Sequence, residues 1–316
     1  INKTEMEQVQ LSLFDFPKDN VPSKTKETAA CKLKWSQSRR SLFMQCPKKY
    51  YYNHYGANKR TAVTEPLKEQ LAILKKLTNR YLTAGIVLHN LIKKTIKELQ
   101  QGKNVSLEDL LNQAQNRYRK QLGYSQGWRK NSIEAYYNVE NANELITETE
   151  NKLLLAIANL IQSSNFHLFR LFFSQPQSFV EKSISIKENN TFLGGKLDFA
   201  YINQDRLAIV DWKLGSSVGS TDPLQLMSYA YLASEELGYA PENIDLYQAH
   251  LASDRISSFE ISKNDIFRTK SLIIQDLEIM NRFHDYGQKG ISEAFTPCGQ
   301  QRVCQLCPFQ EVCLQE

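Results

Sequence analysis

The chain has 316 residues, 41% of them hydrophobic, and carries 39 Lys plus Arg against 34 Asp plus Glu for a formal net charge of +5. This length and apolar content allow one large core and favour a helical insertion over a second independent domain, while so mild a basicity does not by itself announce a nucleic acid. No signal peptide or membrane-length apolar run is apparent, so the expectation is a cytoplasmic protein, off the membrane, whose six cysteines are not a disulfide framework.

Residues 1–34 show little periodicity, many polar and charged side chains and two prolines, and read as a flexible arm. Within it stands Gln10-Leu11-Ser12-Leu13-Phe14. That string resembles the pentapeptide by which bacterial repair and replication proteins bind the sliding clamp, and the resemblance implies the clamp as a partner. A chance amphipathic pentamer, or a strand docking back on the fold, is the plain alternative.

Periodicity predicts a helix and its exit over 41–55 and amphipathic helices over 69–79 and 86–100. The last sets His89 beside an apolar stripe of Leu88, Leu91, Ile92, Ile96 and Leu99, where a lone histidine is more often a core residue than a ligand. Helical character continues over 107–122 and 141–163, with a loop over 123–130 between. Two basic and aromatic clusters fall in this half. Arg39, Arg40, Lys48 and Lys49 flank Tyr50, Tyr51, Tyr52 and Tyr55, for which packing is expected. Arg117, Arg119, Lys120, Arg129 and Lys130 accompany Tyr118, Tyr124 and Trp128, a pattern that suits either a single strand or a solvated face.

From Phe179 the chain turns strand-rich, with strands predicted over 179–187, 191–202, 206–213 and 245–251, and helices over 224–237 and 263–283. The expected fold is α/β, a small mixed sheet flanked by helices, after a helical N-terminal region and before a cysteine-rich tail at 298–316. Domain limits are expected at 1–34 for the arm and 35–316 for the rest, with a helical insertion near 90–175 and a core near 176–290.

The chemistry-bearing residues lie in that core. Side chains alternate along a strand, so Asp211 and Lys213 leave one face with Trp212 pointing away. A hairpin through Asn203-Gln204-Asp205 would bring Asp198 to Asp211, and two acids that meet attract a divalent cation. An ordinary surface ion pair is the alternative. On the helix that follows, Gln225 and Tyr229 lie one turn apart on one face. Near the C-terminus, Cys304-x2-Cys307-x5-Cys313 has the spacing that lets one metal centre collect several thiolates. Cys298 with these three would make a local four-thiolate zinc site, and Cys46 is the other source of a fourth ligand.

Gly85-x3-His89, Gly195-x-x-Asp198, Asp211-x-Lys213 and Gln225-x3-Tyr229, in that order, resemble the RecB-like branch of the PD-(D/E)XK nuclease superfamily, with a restriction-endonuclease-like sheet. The resemblance implies that His89, Asp198, Asp211 and the carbonyl of Trp212 ligate Mg2+ or Mn2+. It assigns Lys213 to the developing phosphorane charge, with Gln225 and Tyr229 positioning Lys213 and the DNA backbone, and Glu181 as an outer carboxylate. The segment Cys46-Pro47-Lys48-Lys49-Tyr50 resembles the iron-sulfur members, implying that Cys46, Cys304, Cys307 and Cys313 hold a structural 4Fe-4S cluster. The implied activity is a metal-dependent exonuclease on single-stranded or end-containing DNA, in repair, recombination or defence, hydrolysing phosphodiesters with a metal-activated water. No Gly-x4-Gly-Lys-Ser/Thr loop occurs, so a helicase would be a separate partner. A CRISPR-adaptation trimming subunit and a non-catalytic DNA-end or clamp adaptor are the alternatives.

Overall fold

A computed structural model describes residues 33–58, 61, 63–123, 131–188, 191–215 and 223–314. By contacts the chain divides into residues 1–31 and 32–316, and everything described belongs to the second. The pentapeptide at 10–14 and the segment 124–130 lie outside the described residues.

The strand β1, Lys34–Trp35, leads into α1, Gln37–Gln45, which Ser36 caps by accepting from the Arg39 N–H. Pro47 disfavours the helical conformation for the residue before it, and Cys46 is extended at φ −162° and ψ 103°. Cys46 therefore ends α1 and caps α2, Pro47–Tyr51, with its sulfur accepting from the Lys49 N–H. The helix expected over 41–55 thus starts earlier, breaks at the cysteine and ends in a π turn at Tyr52–Gly56.

Helix α3, Glu65–Leu74, lies four residues upstream of the stretch expected, with Pro66 in its first turn. Asn79 then caps α4, Arg80–Gln100, accepting from the Leu82 N–H, so this helix begins six residues before the apolar stripe suggests. The helices α5, Leu107–Gln121, α6, Ile133–Tyr136, α7, Ala142–Gln162, and α8, His167–Phe173, complete this half. Helix α8 was not expected, because its run His-Leu-Phe-Arg-Leu-Phe-Phe is too apolar to show a period.

The strands are β2, Ser178–Glu188, β3, Thr191–Asn203, β4, Arg206–Lys213, β5, Ile244–His250, and β6, Arg255–Phe259. Helix α9, Pro223–Leu237, is the crossover between the parallel strands β4 and β5, and α10, Lys263–Gln288, follows the sheet. The tail carries α11, Gln301–Cys304, and α12, Gln310–Cys313. The sheet is mixed and six-stranded, in the order β1-β3-β4-β5-β6 with β2 also on β3. The expected hairpin closes β3 on β4, with Asn203 opposite Arg206 and Gln204 in the left-handed region at φ 54°.

Each face of the sheet has its own core. One joins Leu207 and Ile209 of β4 to α9, α10, the tyrosines of α2 and its π turn, and Phe295 and Phe309 of the tail. The other joins Val210 and Trp212 to α4, α5, α7 and α8. Tyr50, Tyr51, Tyr52 and Tyr55 are all buried, in keeping with a packing role, each stabilising by roughly 2–3 kcal/mol by area. In the middle cluster Tyr118 is buried and Arg119 is paired with Glu150 at 2.7 Å, both structural uses.

Strand β2 occupies one edge of β3 along its length, so β1, paired at Phe192 and Leu193, and β4, paired from Phe199 onward, share the other edge. Between them that edge is unpaired over residues 194–198. The Gly-x-x-Asp segment lies in this notch. The faces also exchange here: Leu193 and Leu197 serve the first core, whereas Phe199 and Tyr201, of the same strand parity, serve the second.

Candidate active site

Asp198 sits where β3 and β4 part. The last ladder pair is Phe199 with Val210, and beyond it one oxygen of the Asp198 carboxylate accepts from the Trp212 N–H at 3.0 Å. Its other oxygen lies 3.2 Å from Nδ1 of His89, whose Nε2 is 3.1 Å from the Trp212 carbonyl. Helix α4 buries Leu88, Leu91 and Ile92 and turns His89 toward the notch. Burial alone would depress this imidazole, but the hydrogen bond to Asp198 and the charges of Asp198, Asp211 and Glu181 outweigh it and hold the ring above its ordinary value. A site that favours a cation on the imidazole also favours a cation beside it.

Glu181 completes the group. It lies between the ladder pairs Val180–Phe199 and Lys182–Leu197, where the β2–β3 pairing skips it and Asp198, and adopts φ 56°, a left-handed conformation that a non-glycine residue in mid-strand rarely takes. Its carboxylate lies 3.9 Å from Nδ1 of His89 and pairs with Lys196. One ligand atom each from His89, Glu181 and Asp198 falls within 4.8 Å of the others, the spacing at which one divalent ion would touch all three. The sequence pointed to Glu181 only as an outer carboxylate; nothing local announces its backbone distortion.

Asp211 is almost fully buried on β4, where desolvation raises its carboxyl although the Lys213 ammonium opposes the shift. Lys213 Nζ lies 2.8 Å from one Asp211 oxygen and donates to Gln225 Oε1 at 3.0 Å. The Gln225 amide donates in turn to the other Asp211 oxygen and to the Tyr229 hydroxyl, both at 3.0 Å. Gly195 admits this arrangement, since a Cβ there would sit 3.1 Å from the Tyr229 ring and Leu232. Gln248, opposite Asp211 on β5, donates to Asp211 at 3.2 Å. Sequence reasoning missed Gln248, although a glutamine inside the otherwise apolar run Leu246 to Ala249 was a signal. Gly85 answers no steric need among the described residues. The structure therefore brings His89, Asp198, Asp211, Trp212, Lys213, Gln225 and Tyr229 together, with Asp211 in the lysine network rather than in the tight three-residue group.

The sequence matches the family described as the PD-(D/E)XK nuclease superfamily over residues 34–314. The chain belongs to this superfamily. Its members are nucleases that use divalent metals, and the donor set of two carboxylates, an imidazole and a carbonyl is suited to such an ion. Among curated proteins none matches. A solved structure titled "Crystal structure of SSO0001" is 17% identical over 71% of this chain and 94% of that one, at a TM-score of 0.29, too loose a superposition to carry any argument.

A second constellation lies where the two ends of the described chain meet. Cys46, Cys298, Cys304, Cys307 and Cys313, all free thiols, line one cavity of about 250 Å³ beside Tyr52 and Phe309. Cys46 and Cys298 are hydrogen-bonded to one another. Burial pushes the Cys307 thiol up to about 11, with Cys46 and Cys313 close by. Among the described residues no three of the sulfurs fall within 4.8 Å of one another.

Proposed function

We propose that this protein is a metal-dependent deoxyribonuclease acting on single-stranded or end-containing DNA in repair, recombination or defence. The observation that carries the reading is the convergence of His89, Glu181 and Asp198 within 4.8 Å beside the Asp211-Lys213-Gln225 network. Mg2+ or Mn2+ held by His89, Glu181, Asp198 and the Trp212 carbonyl, with Asp211 adjacent, would supply Lewis acidity to the phosphoryl oxygens and lower the pKa of the attacking water. Lys213 contributes a compact positive charge beside the scissile phosphate, and Gln225, fixed by Tyr229, holds the ammonium in place. Gln248 keeps the buried Asp211 oxygen satisfied, so that this carboxylate stays oriented.

We further propose that the thiol cavity holds a structural 4Fe-4S cluster through Cys46, Cys304, Cys307 and Cys313. Four soft thiol donors from both ends of the described chain around one cavity suit iron, which supports this reading.

Anaerobically purified protein with Mn2+ is expected to shorten end-labelled single strands, the position of the label giving the direction, while circular strands separate endonuclease from exonuclease. Lys213→Ala is expected to lower the rate at least ~100-fold with binding retained. Binding without cleavage by the unaltered protein in either metal would overturn the reading in favour of a non-catalytic adaptor.

A further inference from the structure

The register of β1, β3 and β2 lays out more than the metal group. On β3 the alternate residues Phe192, Gly194, Lys196 and Asp198 share one side of the strand up to the point where the faces exchange. Opposite them stand Lys34 and Lys187 beside Phe192, Ser185 beside Gly194, and Ser183 beside Lys196, with Glu181 close to Asp198. Lys34, Ser183, Ser185, Lys187, Phe192 and Lys196 are all solvent-exposed. A track of cations and hydroxyls thus runs along the sheet and ends at the carboxylates. Its length from Phe192 to Asp198 is about 20 Å at strand spacing.

Apart from Lys187 and Glu181, these residues line a cleft of about 880 Å³ that reaches Gln225 and Tyr229. Its charged lining is Lys34, Arg39 and Lys196 against Asp198 alone. A cleft so biased selects a polyanion. Phe192 is 52% exposed at the far end, with the Lys34 ammonium 6.0 Å from its ring centroid. A lone exposed phenylalanine is ordinary on a protein surface. One that shares a cleft with Asp198, beside a lysine with no acidic partner among the described residues, has the make-up of a stacking platform with a phosphate contact beside it.

We infer that the outer face of β1, β3 and β2 is the entry track for a single strand, in which Phe192 stacks an unpaired base and Lys34 neutralises the adjoining phosphate. The inference rests on the nuclease reading and names its substrate form: a paired base has no free face to offer Phe192, so duplex DNA gains nothing there. Phe192 is a positioning residue, remote from the reacting atoms.

The test is fluorescence anisotropy of the whole chain in EDTA, with labelled oligo-dT and a blunt duplex without unpaired bases as probes. Phe192→Ala is expected to weaken oligo-dT binding by roughly tenfold or more while leaving the duplex unchanged, and Phe192→Trp to restore it. Lys34→Ala is expected to reduce the salt dependence of oligo-dT binding by about 0.7 in log–log slope. Wild-type oligo-dT affinity in Phe192→Ala, or an equal loss for strand and duplex, would overturn the track while leaving the nuclease reading intact. An unaltered protein that binds neither probe would remove both.

Discussion

Glu181 illustrates how a single side chain joins fold and chemistry. Its φ of 56° is unfavourable for any residue with a Cβ, and strain of this kind costs about 1–3 kcal/mol. In exchange the carboxylate lies beside His89, Asp198 and Lys196. Glu181→Gln is expected to weaken Mn2+ binding about 10–100-fold by calorimetry, with the secondary structure unchanged by circular dichroism. Unaltered Mn2+ affinity would reduce Glu181 to a partner for Lys196. The residue types at Asp198, Asp211, Lys213, Gln225 and Tyr229 were legible because their spacing on strand and helix is local. Glu181 and Gln248 were not, because what matters about them is register across two separate strand pairs.

At the scale of elements, prolines and caps decide where helices begin, and glycines decide how closely they approach. Pro47 and the extended Cys46 turn the chain so that the cysteine meets the tail, which a continuous helix over 41–55 would not do. Helix α10 then packs against this region at Gly287, where a Cβ would lie 2.5 Å from the buried Tyr55 ring. Gly287→Ala is accordingly expected to destabilise the protein by about 1–3 kcal/mol in denaturant titration, although alanine is the better helix former by about 1 kcal/mol. Gly56→Ala should be milder, since its nearest neighbour is the flexible end of Leu71 at 2.7 Å. A stabilised Gly287→Ala would show that the Tyr55 ring moves aside freely.

For the molecule as a whole, the N-terminal helices and the C-terminal tail close on each other across the first core. Lys48 N–H donates to the Thr296 carbonyl at 3.2 Å, and the Tyr51 hydroxyl donates to the Gly290 carbonyl at 3.1 Å. The thiol cavity sits on this seam, far along the chain from β3 and β4 but sharing their core. Cys46→Ser is expected to abolish the visible absorbance and iron content of anaerobically purified protein and to lower the melting temperature by roughly 5 °C or more, about 2 kcal/mol. Cys298→Ser is expected to keep both. Loss of absorbance in Cys298→Ser with retention in Cys46→Ser would replace the proposed ligand set by the local one.

By itself the sequence determined the mixed α/β class, the β3–β4 hairpin, the face shared by Asp211 and Lys213, and the turn shared by Gln225 and Tyr229. Each of these follows from a period or a turn chemistry confined to a few neighbouring residues. Only the tertiary structure decided that β1 and β4 leave a notch on one edge of β3, that His89 turns into it rather than into the core, and that Glu181 faces Asp198. It also decided that five cysteines from both ends of the described chain line one cavity. These outcomes depend on which strands pair and which faces pack, and such long-range choices minimise the exposed apolar surface of the whole chain, a quantity no local window contains.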